Sequence, residues 1–177
     1  IDSAVPCLQQ MAEVYESKRA SVIGCELVPH SQTDKYGIVE VEAKGAMTSR
    51  VRSIVEKPRP ADALSNLAVV GRYLLAPSIF EHLERIGRGA GGEIQLTDGI
   101  ARLMREEAVY AYRFVGKRYD CGNKLGYLQA TVAFALGHPQ LGRPFRKHLL
   151  ELADGLRRKG PGAGSRPKAT KTGVKPR

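Results

Sequence analysis

LAVVGRYLL, residues 67–75, is a near-continuous apolar run, the pattern expected of a strand covered on both faces. Its neighbours in the sequence extend the same reading. Upstream, Ser21–Val28 is short and β-branched, 37–42 alternates, Lys44-Gly45 punctuates, and 51–56 alternates again until Pro58 stops it. This predicts a strand followed by a hairpin. Downstream, Pro77 opens a helix carrying Ile79, Phe80, Leu83 and Ile86, which Gly87 ends. Thr97 or Asp98 caps a further helix with Ile100, Leu103 and Met104 inward, and 109–115 is the next strand. Before all of these, residues 3–18 place Cys7, Leu8, Met11, Val14 and Tyr15 on one helical face, with Ser3 as N-cap. After them come a helix with Leu125, Leu128, Val132 and Leu136 on one face and another over 145–156. Interspersed helices and strands without an internal repeat define an α/β class with a mixed sheet flanked by helices.

Composition narrows what such a body does. The chain has 177 residues, 42% hydrophobic and 26% charged, enough for one buried core and against wholesale disorder. No stretch reaches the roughly 18 apolar residues needed to cross a bilayer, and the start lacks a basic region followed by an apolar run, so no membrane partner is expected. Three cysteines without C-x-x-C spacing indicate neither a disulfide framework nor a zinc ribbon and suit the cytoplasm. The net charge of +10 suggests a nucleic-acid binder until its location is read. Residues 157–177 hold eight Lys or Arg and no acid, which leaves the remainder at +2. The expected organisation is therefore a folded body over 1–155 and a disordered basic tail over 156–177. Attraction of that tail to nucleic acid or another acidic surface would be weak and salt-sensitive.

Three short segments carry groups suited to a site. Glu56-Lys57-Pro58 stands at a strand's C-terminal end, where α/β sheets bind ligands. A carboxylate there accepts hydrogen bonds from sugar hydroxyls and an ammonium neutralises a phosphate, although a solvated surface pair has the same sequence. Gly37 at a strand entrance permits either close approach of a ligand or an unusual φ. Asp120, in Tyr119-Asp120-Cys121-Gly122-Asn123, offers Mg²⁺ one oxygen, but without a second carboxylate or a bound phosphate an Asx-turn or helix cap is the stronger reading. His30, His82, His138 and His148 form no i, i+4 pair, and no G-x-S-x-G or Walker loop occurs, so zinc, serine-hydrolase and P-loop chemistry lack support.

In order, KYGIVE (35–40), VEKP (55–58), SNLAVVGRYLL (65–75), GEIQLTDGI (92–100) and YDCGNKLGY (119–127) closely resemble the bacterial UTP:glucose-1-phosphate uridylyltransferases, or UDP-glucose pyrophosphorylases. The likeness runs from about Ile1 to Leu152. It implies a Rossmann-like nucleotidyltransferase fold, UTP and glucose 1-phosphate as substrates, Mg²⁺ as cofactor and homo-oligomers formed through C-terminal helices. By motif, Gly37 packs against the sugar, Glu56 accepts its hydroxyls and Lys57 binds its phosphate. Val69 and Gly71 line the sugar pocket. Asp120 is a Mg²⁺ ligand, and Gly122 lets the backbone approach. Glu93 and Asp98 match the family segment as sugar contacts or scaffold.

Such enzymes begin with a glycine-rich G-x-G-T-R-type loop and a first metal-binding aspartate, and neither is in this sequence. The resemblance therefore implies an N-terminally truncated version of the fold, inactive alone, with an unprotected sheet edge where the missing strands belong. Two other readings stay open: a non-catalytic sugar-phosphate-binding module with a basic tail, and a related sugar-1-phosphate nucleotidyltransferase of other specificity.

Overall fold

The computed structural model describes residues 1–87 and 92–159. It separates into two units, Ile1–Arg118 and the residues from Tyr119 onward. The first holds α1 (Cys7–Lys18), β1 (Ser21–Leu27), β2 (Gly37–Val41), β3 (Thr48–Glu56), β4 (Leu67–Leu74), α2 (Ile79–Glu84), α3 (Leu96–Leu103) and β5 (Val109–Arg113). The second holds α4 (Lys124–Gly137) and α5 (Gly142–Lys159).

The α/β reading with a mixed sheet holds. β1 runs parallel to β5, and every other pairing is antiparallel. The expected unprotected edge, however, is absent among the described residues, because the strands close into a ring in the order β1-β4-β2-β3-β5. β3 makes the closure possible. It begins at Thr48, earlier than its alternation shows, and this first stretch pairs with β5 through Thr48, Ser49 and Arg50. Its remainder, from Val51 to Glu56, pairs with β2. One long strand thus serves two neighbours, and the shortest seam is β2 against β4, with Ile38 opposite Ala68 and Val39 opposite Leu67.

β4 is covered over only part of its length, which corrects the expectation from its apolar sequence. Leu67, Ala68 and Val69 are buried, whereas Gly71 and Arg72 are exposed. The register explains this: Cys25 faces Val69 and Ile23 faces Tyr73, so Gly24 alone stands opposite three residues of β4. Gly71, at φ +69°, supplies the left-handed turn that such a bulge requires. Ile100 and Leu103 of α3 are fully buried against Ile23, Val39, Val69 and Val109. A smaller cluster of Cys7, Met11 and Val22 lies under α1.

Helix starts differ from the sequence reading. Pro6, not Ser3, occupies the N-cap of α1, and the Ser3 hydroxyl donates to the Val5 carbonyl instead. α3 begins after Gln95, so Thr97 lies inside the first turn and buried, while Asp98 is exposed. α4 is capped by Asn123, whose Oδ1 accepts from the Gly126 amide at 2.7 Å. Leu125 and Leu128, which share the expected apolar face, are exposed; the buried residues of α4 are Gly126 and Ala130. A helix that is apolar on several sides does not reveal by periodicity which side packs. The expected basic tail overlaps the end of α5, and from residue 160 it lies outside the described residues, as does part of the glycine-rich segment, 88–91.

Candidate functional site

β2 and β3 bring the first two segments together. Gly37 is the opening residue of β2 and pairs in register with Glu56, the last residue of β3. A Cβ built on Gly37 would stand 3.0 Å from Cγ2 of Thr97, 3.2 Å from Oε2 of Glu56 and 3.8 Å from Cγ2 of Val69. Three of the residues named from the sequence, Gly37, Glu56 and Val69, therefore meet at one point, and glycine is what leaves room between them. Thr97 is the fourth member, and its buried Oγ1 has no hydrogen-bond partner among the described residues.

The Glu56 carboxylate is partly buried, with 21% of the side chain exposed, and the Lys57 ammonium lies 3.5 Å from its Oε1 at 60% exposure. Lys57 adopts φ +45°, a left-handed conformation costly for a side-chain-bearing residue. Its amide donates to the Tyr36 carbonyl at 3.0 Å, which fixes the turn out of β3. Tyr73 of β4 senses this carboxylate: burial, then the Glu56 charge, then Cys25, raise its phenol above the ordinary range.

A second set of contacts supports Tyr36. Arg118 donates through Nη2 to the Tyr36 hydroxyl at 3.1 Å, lies 5.3 Å from the ring centroid, and pairs through Nε with Glu26. Burial works against the guanidinium charge, but the hydrogen bonds to Tyr36 and Glu26 outweigh it and raise its pKa.

The remaining residues named from the sequence stand elsewhere. Gly71 is on the exposed bulge, with nothing among the described residues within 4 Å of an added Cβ. Glu93 and Asp98 are exposed, and it is Thr97, between them in the motif, that reaches Gly37. In the second unit, Asp120 Oδ1 accepts from the Gly122 amide at 3.0 Å and Oδ2 from Asn123 Nδ2 at 3.1 Å. This is a closed Asx-type turn. Gly122 brings the chain close, since a Cβ there would stand 3.1 Å from that Oδ1.

Mg²⁺ requires six oxygens in near-octahedral order and usually keeps several waters beside one or two carboxylates and substrate phosphates. Among the described residues no group of three or more His, Cys, Asp or Glu is arranged for a metal. Asp120 presents a single carboxylate, the kind of ligand Mg²⁺ takes beside substrate phosphates and water. Sequence reasoning missed Thr97, Tyr73, Tyr36 and Arg118. Of these, Tyr36, Tyr73 and Thr97 fall within the quoted motifs, and Arg118 lies just before one.

The chain belongs to the nucleotidyl transferase family, whose model matches residues 4–135. Within that family it is 44% identical over 152 residues to the UTP–glucose-1-phosphate uridylyltransferase of Staphylococcus epidermidis, covering 86% of this chain and 53% of the relative. A second uridylyltransferase, from Staphylococcus saprophyticus, is 48% identical over 136 residues, covering 77% of this chain and 47% of that one. Among solved structures, a UTP-bound UDP-glucose pyrophosphorylase from Acinetobacter baumannii superposes with a TM-score of 0.75 at 42% identity, covering 86% of this chain and 53% of that chain. A UDP-glucose pyrophosphorylase complexed with UDP-glucose gives 0.72 at 38% identity, covering 78% and 53%. The chain spans about half the length of the curated relatives it matches.

Proposed function

We propose that this chain supplies the sugar-phosphate side of a UTP:glucose-1-phosphate uridylyltransferase, forming UDP-glucose and pyrophosphate. The observation that carries the reading is the meeting of Gly37, Glu56 and Val69 beside the Lys57 ammonium. Glucose 1-phosphate is a polyol with one dianionic end. Glu56 accepts hydrogen bonds from ring hydroxyls, Gly37 lets the ring lie against the backbone, and Lys57 neutralises the phosphate. Val69 gives the pocket an apolar wall.

The chemistry needs no side-chain nucleophile. A phosphate oxygen of the sugar attacks the α-phosphorus of UTP in line, one P–O bond forms, the α–β bridge breaks, and pyrophosphate leaves with the electron pair. Protein work is positioning two polyanions and screening their repulsion. Mg²⁺ held by Asp120, with Gly122 shaping that turn, would supply charge neutralisation at the phosphates. Lys57 moves no proton; it holds the attacking phosphate in place as a fixed cation. We assign the reaction to the cytoplasm; no helix among the described residues is long and apolar enough to cross a membrane.

Calorimetric titration of glucose 1-phosphate into the purified chain tests the assignment. Lys57→Ala is expected to weaken binding by about tenfold to a hundredfold, the worth of a charge-assisted hydrogen bond, and Glu56→Gln to weaken it less. Glucose without its phosphate should bind equally poorly to both wild type and Lys57→Ala. Undiminished glucose 1-phosphate binding by Lys57→Ala refutes the reading.

A further inference from the structure

The Lys57 backbone is strained, and a strained residue persists only where its surroundings fix it. Its amide is held by the carbonyl of Tyr36 at 3.0 Å. Tyr36 ends the 3-10 turn over His30–Lys35 and immediately precedes Gly37, so the position of its carbonyl sets both the lysine and the strand opposite Glu56. What fixes Tyr36 comes from another part of the chain. Arg118 grips the hydroxyl with one nitrogen, lies near the ring, and spends Nε on Glu26 of β1. With only 19% of the Arg118 side chain and 26% of Glu26 exposed, this pair is shielded enough to hold one geometry.

We propose that Arg118 is a positioning residue for the sugar-phosphate lysine: through Tyr36 it holds the Lys57 turn in the left-handed conformation that presents the ammonium beside Glu56. The proposal rests on the reading of Lys57 as the phosphate ligand. It explains why arginine stands at 118, since a lysine carries the charge but lacks the fork that reaches Glu26 and Tyr36 together. Arg118 itself need not touch the substrate. Tyr36 is the intermediate, contributing its hydroxyl to Arg118 and its carbonyl to Lys57.

Two measurements on the intact chain test this, with Arg118→Lys and, as the milder change, Tyr36→Phe. In amide hydrogen exchange, which needs no ligand, both variants are expected to speed exchange at Lys57 by about fivefold to tenfold, as for loss of one net hydrogen bond. The β1/β5 ladder should stay unchanged. In glucose 1-phosphate titration, Arg118→Lys should weaken binding about tenfold in the wild-type background and have no further effect beside Lys57→Ala. Equal acceleration at Lys57 and the β1/β5 ladder, or fully additive losses in the double variant, overturns the proposal. If the wild type does not bind glucose 1-phosphate at all, the functional assignment fails, while exchange at Lys57 still decides whether Arg118 sets the turn.

Discussion

The two units of this chain bury their apolar residues very differently. In residues 1–118, Met11, Ile23, Val39, Ile100 and Leu103 are wholly inside, and a closed ring of strands satisfies its own hydrogen bonds. In α4 and α5, by contrast, Leu125, Leu128, Leu150, Leu152 and Leu156 are all more than half exposed, and α4 buries only Gly126 and Ala130. Apolar content is therefore a poor guide to where stability lies, because free energy comes from area removed from water rather than from leucines present. The site follows the same division. Lys57 and Glu56 are set by strands and a buried core, whereas Asp120 is set by a local turn within two or three residues of itself.

The most severe test of that contrast is Leu103→Ala, which should cost about 2–5 kcal/mol by urea denaturation because the side chain is fully enclosed. A loss no larger than that of an exposed leucine would end the comparison. Alkaline pH should also single out the first unit. Burial pushes the Cys25 thiol far above its ordinary 9.0, and burial with Glu56 and Cys25 raises Tyr73 above 10.0. Both groups are neutral when protonated, and the unfolded chain gives up these protons first, so their stabilisation is complete below pH 9 and shrinks as pH rises beyond it. A thermal melting series should be flat up to about that pH and then fall, with Cys25→Ala delaying the onset toward the tyrosine range.

Lys57→Gly should separate stability from binding: relief of the left-handed strain should raise stability by about 1 kcal/mol while glucose 1-phosphate affinity falls as in Lys57→Ala. A less stable glycine variant would show that the turn is not strained. The smallest effect belongs to Leu128→Ala, expected within about 0.5 kcal/mol of wild type in the same denaturation assay. A larger cost would mean that something covers this face in solution.

Much of this was legible in the sequence because β-branched runs and alternation report burial directly. The strand positions and the β2–β3 hairpin follow from it. Ring closure does not, since nothing local in Thr48-Ser49-Arg50 announces a second partner for β3. The bulge at Gly71 is likewise a property of register with Gly24, not of LAVVGRYLL. At the site, Gly37 and Glu56 were found through their motifs, and the structure adds that they are cross-strand partners. Thr97 was misread because a threonine near a helix start looks like a cap until the helix is seen to begin at Leu96. Arg118 was invisible for a different reason: it is one of 28 cations in a chain of net charge +10, and only its partners Glu26 and Tyr36 distinguish it.

Of the three cysteines, Cys7 and Cys25 are buried and Cys121 is exposed, immediately after Asp120. A thiol-directed fluorophore added to the folded protein would accordingly attach at a single place without any engineering. Its emission would then report, from the adjoining residue, on whatever ion or nucleotide reaches that turn.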